Sequence, residues 1–92
     1  MAITQTHIDK AIELAKQFGA TKLLIFGSAY SDPKNANDLD LAVEGIDNSK
    51  FFDYAGLLEY MLNISVDVVD LSDDISFINH IKKNGRYIYV RT

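Results

Sequence analysis

Apolar residues recur along the chain with two different periods, and each period predicts one kind of secondary structure. Residues 5–19 place apolar side chains at helical spacing between Thr6, which can cap a helix, and Gly19, a common helix exit. A second helical pattern, with a broad apolar stripe, lies between Phe51 and Leu62. We therefore expect two amphipathic helices.

The remaining patterns predict strands and one more short helix. Residues 22–27 form a continuous apolar run that ends in glycine, which is typical of a strand buried on both faces. Residues 38–43 and 64–71 alternate between apolar and polar side chains, as half-buried strands do. Residues 75–85 predict a short helix, and residues 86–90 favour a closing edge strand.

This order of elements predicts an α/β (α+β) fold, with helices packed on one side of a small mixed sheet of about four strands. A chain of 92 residues without repeats or linkers is expected to form a single domain over residues 1–92. No apolar run is long enough to span a membrane, and residues 1–6 lack the features of a secretory signal. We therefore expect a cytoplasmic protein.

Charge and cysteine content narrow the possible functions. The net charge of −4 disfavours direct binding of nucleic acid, and an anionic substrate would need a metal ion as intermediary. Because cysteine is absent, a metal would have to bind oxygen or histidine. So small a core also makes a homo-oligomer or hetero-oligomer plausible, since another chain can cover apolar surface that the domain leaves open.

Two acids stand on one face of a predicted strand. Asp38 and Asp40 alternate with apolar residues, so a rigid strand holds both carboxylates side by side. Like charges in this arrangement are destabilising unless a cation neutralises them. The alternative is that they form the solvated outer face of an edge strand.

Two further features point to the same chemistry. Gly27-Ser28 leaves a buried strand, where a glycine lets backbone approach a ligand and serine can hold phosphate oxygens; the alternative is a plain turn. Asp67 interrupts an apolar strand, although a lone acid often just points to water. If its strand lies beside that of Asp38 and Asp40, three carboxylates converge on a site suited to Mg²⁺.

Other polar residues have simpler interpretations. His7 and His80 lie far apart without partners at metal-binding spacing, so we interpret them as surface or capping residues. Asp70, Asp73 and Asp74 follow a predicted strand, where helix capping explains them better than a second metal site.

The candidate residues occur in a fixed order: Gly27-Ser28, then Asp38-Leu39-Asp40-Leu41-Ala42-Val43, then Val66-Asp67-Val68-Val69-Asp70-Leu71. In this order, and with the ending Lys83-Asn84-Gly85-Arg86-Tyr87-Ile88-Tyr89, the chain resembles the DNA polymerase β-type nucleotidyltransferase superfamily. Within the superfamily it is most similar to the minimal nucleotidyltransferase (MNT) branch. The resemblance spans about residues 8–90.

This resemblance implies the nucleotidyltransferase fold and a role for each candidate residue. Ser28 and the turn amides at Gly27 would hold the β and γ phosphates of ATP. Asp38 and Asp40 would bind two Mg²⁺ ions, and Asp67 would ligate one ion and help to deprotonate the attacking hydroxyl. Two metal ions that clamp the entering and leaving oxygens are a known device of phosphoryl transfer.

The implied partner is a HEPN-domain toxin, to which the protein would act as antitoxin by transferring AMP to a toxin tyrosine. Relatives carry an arginine soon after Gly-Ser, where this chain has Tyr30-Ser31, so Lys34 or Arg86 would have to replace that cation. The alternative is an antitoxin of weak or no activity that neutralises its partner by occlusion. A free-standing transferase acting on RNA or an antibiotic is disfavoured by the acidic composition and the lack of a second domain.

Overall fold

Four strands form one mixed sheet in the computed structural model, which describes residues 2–72 and 75–92. In chain order they are β1 (Lys22–Phe26), β2 (Asp38–Glu44), β3 (Ser65–Asp70) and β4 (Gly85–Val90). Across the sheet the order is β3-β2-β1-β4, with β1 antiparallel to both neighbours and β2 parallel to β3. The predicted α+β fold with a small mixed sheet is confirmed, and β4 is the edge strand that the sequence favours.

The helices of the described residues are α1 (Gln5–Gln17), α2 (Ser28–Ser31), α3 (Phe51–Leu62) and α4 (Ile75–Lys83). A single turn of 3-10 helix at Asn48–Lys50 leads into α3. Helix α2 lies in a segment that its turn-forming composition did not mark as helical. None of these helices is long and apolar enough to cross a membrane.

Helix α1 begins at a capping box built on Thr4, so the prediction that Thr6 caps it is wrong. The Thr4 hydroxyl accepts a hydrogen bond from the His7 amide (3.4 Å), and His7 Nδ1 accepts one from the Thr4 amide (3.1 Å). His7 is therefore a capping residue, as predicted. The helix ends at Gln17, and Gly19 follows with a φ of 86°, a left-handed conformation that suits glycine.

The Asp70 carboxylate closes a tight turn after β3. It accepts hydrogen bonds from the amide (2.9 Å) and the hydroxyl (2.7 Å) of Ser72. This local turn accounts for Asp70 without a second metal site. The capping role predicted for Asp73 and Asp74 concerns residues outside the described part of the chain.

Two apolar clusters lie on opposite faces of the sheet. Alternate residues of β2, such as Leu39 and Leu41, belong to the larger cluster, which α1 and α3 cover. Ala42 points the other way and belongs to the smaller cluster, together with Ile78 and Ile81 of α4. The expectation that helices pack on one side is therefore right for α1 and α3 and wrong for α4. A strand such as β1, apolar on both faces, needs cover on both sides.

Helix α4 covers only part of its face of the sheet. It packs over the position of Ala42, while Asp38 and Asp40 precede Ala42 on the same face of the same strand. Asp38 is exposed and Asp40 is half-buried. The beginning of β2 therefore remains open beside α4, and the candidate acids lie there.

The larger cluster is closed by Tyr54 of α3, whose hydroxyl donates a hydrogen bond to the carbonyl of Ala11 (2.9 Å). Its ring packs edge-on against Phe18, and burial raises the pKa of Tyr54, so the hydroxyl remains a donor. This contact joins α3 to α1 across the core.

Removing the Tyr54 hydroxyl should destabilise the protein. We expect Tyr54→Phe to lower the free energy of unfolding by about 1 kcal/mol, because a buried hydrogen bond is lost. The matched control is Tyr60→Phe, since Tyr60 is 84% exposed and should change stability by less than about 0.5 kcal/mol. Urea unfolding measures both variants, and equal effects would contradict the role assigned to Tyr54.

Candidate functional site

One end of the sheet gathers the residues that the sequence singles out. Strand β1 runs antiparallel to β2 and β4, and β2 runs parallel to β3, so the end of β1 meets the beginnings of the other three strands. Phe26, the last residue of β1, pairs with Asp40 on one side and with Gly85 on the other. Asp40 in turn pairs with Asp67. The two acids, the turn after β1 and the beginning of β4 therefore lie in a row.

The acids are close enough to affect one another. Burial, then the charge of Asp67, then the charge of Asp38 raise the pKa of Asp40 above its ordinary value. The register places Asp67 directly beside Asp40 on the neighbouring parallel strand, and Asp38 on the same face of β2. The carboxylates are therefore more than a solvated outer face, because their mutual repulsion favours a bound cation or proton at Asp40.

These acids nevertheless do not form a preformed cage. Within residues 2–72 and 75–92, no group of three or more His, Cys, Asp or Glu side chains is arranged to hold a metal ion. Asp38 and Asp67 are exposed, so their side chains have room to change rotamer. The donor set suits a hard cation such as Mg²⁺, which prefers carboxylate oxygens, and the repulsion at Asp40 gives that cation a driving force.

Gly27 lies against Asp40, and two observations require glycine there. Its φ is 65°, in the left-handed region. A Cβ atom built on Gly27 would collide with Oδ2 of Asp40 and would lie 3.2 Å from its Cγ. From the sequence, this glycine was predicted to let the backbone approach a ligand closely. In the structure, the atom that approaches it is a carboxylate oxygen of the protein itself.

The turn after Gly27 is the beginning of helix α2, a single helical turn of four residues. The carbonyl of Gly27 accepts hydrogen bonds from the amides of Tyr30 (3.1 Å) and Ser31 (3.0 Å). Ser28 is the first residue of the helix and is exposed. Its hydroxyl therefore lies at the turn that meets Asp40, and its binding of phosphate stays a prediction.

A cleft of about 490 Å³ opens between this turn and helix α4. Its lining residues come from the end of β1 and the adjoining Gly27, from α2, and from α4 and the residue that follows it: Phe26, Gly27, Tyr30, Ser31, Phe77, His80, Ile81, Lys83 and Asn84. From the sequence, His80 was interpreted as a surface or capping residue, and no role was predicted for the other α4 residues of this group. The available signal was Gly85, which begins β4 just after α4 and, through its pairing with Phe26, brings that helix end beside Gly27.

His80 and Asn84 contact each other at the end of α4. The side-chain amide nitrogen of Asn84 donates a hydrogen bond to the backbone carbonyl of His80 (2.9 Å) and lies 3.4 Å from Nδ1 of the His80 ring. His80 therefore contributes to the end of the helix, as predicted, and also lines the cleft.

Arg86 is not brought to the acids. It pairs with Ile25 and lines a different cavity, of about 410 Å³, together with Ile3 and Pro33. Ile3 and Ile25 belong to the larger cluster, on the face of α1 and α3. Arg86 is therefore on the opposite face of the sheet from Asp40, in a cavity that Ala29 and Tyr30 of α2 also line. That Arg86 replaces the missing arginine stays a prediction.

Comparison with known proteins identifies the family of the chain. The family described as "Polymerase beta, Nucleotidyltransferase" matches residues 9–92. Among solved structures, a chain from a toxin-antitoxin complex with AMP-PNP is similar, at 24% identity and a TM-score of 0.76 over 91% of this chain and 73% of the other. A chain from the MntA-HepT toxin-antitoxin complex is similar at 22% identity and a TM-score of 0.74, over 95% of this chain and 73% of the other.

A third similar chain comes from a complex of the tri-AMPylated HEPN toxin of Shewanella oneidensis with its MNT antitoxin. It is 23% identical, with a TM-score of 0.73 over 94% of this chain and 71% of the other. The chain has no significant match among curated protein sequences. At these identities the solved structures establish the fold, while the family model covers almost the whole chain and establishes descent. The protein therefore belongs to the polymerase beta nucleotidyltransferase family.

Proposed function

We propose that this protein is the antitoxin of a toxin-antitoxin pair and transfers AMP from ATP to a tyrosine hydroxyl of a cognate HEPN-domain toxin, with Mg²⁺ as cofactor. Its family supports nucleotidyl transfer as the reaction class. The similar fold in complexes with AMP-PNP and with an AMPylated HEPN toxin supports the choice of donor and acceptor.

One observation carries the proposal. The Asp40 carboxylate lies against Gly27, so the charged end of β2 and the first turn of α2 adjoin each other. Nucleotidyl transfer needs both features at one place, because a cation must neutralise charge at the phosphorus while donors hold the rest of the triphosphate.

Each residue then has a distinct task. The Ser28 hydroxyl and the adjacent amides hold the β and γ phosphates. Asp38, Asp40 and Asp67 would hold Mg²⁺, and their side chains would have to draw together around it, since within the described residues they form no cage. The ion held by these acids would supply positive charge to the transferred group and to the departing pyrophosphate.

The covalent step balances with these groups. The attacking tyrosine oxygen forms a bond to the α-phosphorus of ATP, and the bond from that phosphorus to the bridging oxygen of pyrophosphate breaks. The tyrosine proton passes to Asp67, which is exposed beside Asp40 and acts as general base. The products are AMP-tyrosine and pyrophosphate.

Replacing either paired acid should abolish transfer. With α-labelled ATP, Mg²⁺ and the HEPN-domain toxin encoded beside this protein, we expect Asp40→Asn and Asp67→Asn to reduce labelling of the toxin by at least about 100-fold. The control is Asp9→Asn on α1, whose carboxylate accepts a hydrogen bond from the Gln5 side chain (2.9 Å), and this variant should label as well as wild type. Equal labelling by the Asp40 variant would refute the proposed activity.

The repulsion at Asp40 also predicts how stability depends on pH. Because the folded pKa is raised, ionised Asp40 destabilises the fold at neutral pH, and this cost is relieved as pH falls through the raised value towards the ordinary value of 3.8. In EDTA, Asp40→Asn should therefore be more stable than wild type at pH 7, and the gain should vanish near pH 3.8.

Mg²⁺ should relieve the same repulsion at Asp40. It should raise the thermal midpoint of the wild type more than that of Asp40→Asn, measured at matched ionic strength by calorimetry. Asp9→Asn should respond to Mg²⁺ as the wild type does. This account would be wrong if the Asp40 carboxylate made the wild type less stable at pH 5 than at pH 7. It would also be wrong if Mg²⁺ raised the thermal midpoints of wild type and Asp40→Asn equally.

A second candidate function, neutralisation of the toxin by occlusion alone, is favoured by the outer side of α3. Phe52 and Tyr60 are 81% and 84% exposed and lie on either side of Gly56. A glycine within a helix costs about 0.5–1 kcal/mol relative to alanine, and no atom of the described chain would obstruct a Cβ at Gly56. An open backbone between two exposed aromatic rings suits close contact with another protein.

The outer side of α3 can be tested separately from the acids. We expect Phe52→Ser with Tyr60→Ser to weaken binding of the toxin by at least about tenfold in calorimetric titration. Val90→Ser, at an exposed apolar position of β4, is the control and should bind normally. If Asp40→Asn still protects cells from the toxin while the α3 variant fails, neutralisation is by occlusion. If Asp40→Asn fails while the α3 variant still protects, neutralisation is by AMP transfer.

A further inference from the structure

The row at the end of the sheet continues beyond the acids. Reading across from β3, it contains Asp67, Asp40, the turn at Gly27 and the junction of α4 with β4. Lys83, the last residue of α4, lines the cleft that opens at this turn. The row therefore has negative charge on one side of the phosphate-binding turn and a lysine on the other.

The junction that carries Lys83 is held in place by close packing. A Cβ atom at Gly85 would lie 2.5 Å from the carbonyl oxygen of Ile25 and 2.9 Å from that of Ile81. The backbone of Gly85 is thus pressed between β1 and α4 and cannot shift away from β1 without losing its pairing with Phe26. Lys83 is two residues before this fixed point.

The other groups of the cleft are less suited to an anion. The Ser31 hydroxyl donates to the carbonyl of Gly27 (3.2 Å), and the Asn84 amide donates to the carbonyl of His80 (2.9 Å). The remaining lining residues are apolar or aromatic apart from His80 itself. Among the described residues that line the cleft, Lys83 is the one with a permanent positive charge.

The loop after Gly27-Ser28 supplies little positive charge of its own. Residues 29–37 contain one basic residue, Lys34, and no arginine. A triphosphate bound at the turn would carry about four negative charges, and the Ser28 hydroxyl and adjacent amides that would hold its β and γ phosphates are uncharged. A lysine beside the turn would add a charge-assisted hydrogen bond to those phosphates.

We infer that Lys83 is the phosphate-binding cation of this protein and pairs with the terminal phosphates of the nucleotide from the α4 side of the cleft. This inference rests on the proposed function, since it assumes that ATP binds at Gly27-Ser28. It assigns to the end of α4 the task that an arginine of the loop performs in relatives.

Lys82 provides a matched control, because a lysine in the last turn of a helix also stabilises the carbonyl end of that helix. Lys82 and Lys83 share this effect, while Lys83 alone of the two lines the cleft. A structural role would therefore make Lys82→Met and Lys83→Met equivalent, and a phosphate-binding role would separate them.

The test is a titration of the full chain with MgATP and, separately, with AMP, using wild type, Lys83→Met, Lys83→Arg and Lys82→Met. We expect Lys83→Met to bind ATP about tenfold more weakly while AMP binding is unchanged, because AMP lacks the phosphates that Lys83 contacts. Lys83→Arg should retain most of the ATP affinity. Lys82→Met should bind both nucleotides as wild type does, and thermal melting should give the same small decrease in midpoint for the two methionine variants, because both lose the same stabilisation of the helix end.

The outcomes separate this inference from the proposed function. If wild type binds ATP and Lys83→Met binds it equally well, Lys83 is not the phosphate-binding cation and the proposed function stands. Equal losses of ATP and AMP affinity, or equal losses in the two methionine variants, also overturn the inference. If wild type binds no ATP, the proposed function fails and takes the inference with it.

Discussion

The site depends on the central position of β1 in the sheet. Because β1 pairs on both sides, its last residue, Phe26, fixes the beginning of β2 and the beginning of β4 at the same level. The parallel pairing of β2 with β3 then places Asp67 at the level of Asp40. The three acids considered for the reaction are placed by this one register. A slip of one residue would turn Asp40 towards the larger cluster, where an unpaired carboxylate is strongly disfavoured.

The two sides of this site carry charges of opposite sign. The acids repel one another, as the raised pKa of Asp40 indicates, while Lys83 lies across the turn from them. A fold with a net charge of −4 does not attract a triphosphate as a whole, so local groups must supply the attraction. Under the proposed function, a metal ion at the acids and a lysine at the other side of the turn would divide that task. The outer side of α3, proposed as the surface for a protein partner, involves neither group.

Much of this arrangement could be predicted from the sequence, since alternation along β2 and β3 shows which acids share a face and the apolar run of β1 shows a strand buried on both sides. The order of strands could not be predicted, because it depends on how distant segments pair. For that reason the α4 face, the cleft residue Lys83 and the position of Arg86 on the opposite face were all found only in the structure. The cap at Thr4 was missed because Thr6 offers the same local chemistry two residues later.

Gly27 follows β1 and Asp40 lies in β2, with residues 28–39 between them, yet the space for a Cβ at one is filled by the carboxylate of the other. A substitution at Gly27 therefore disturbs the acid even though the turn itself contains no charge. The two positions are expected to evolve together. A lineage that loses the acid removes the clash, but the φ of 65° still requires glycine until the backbone of the turn also changes. A side chain at position 27 in a descendant of this protein would thus mark a site that has lost the carboxylate and rebuilt its turn.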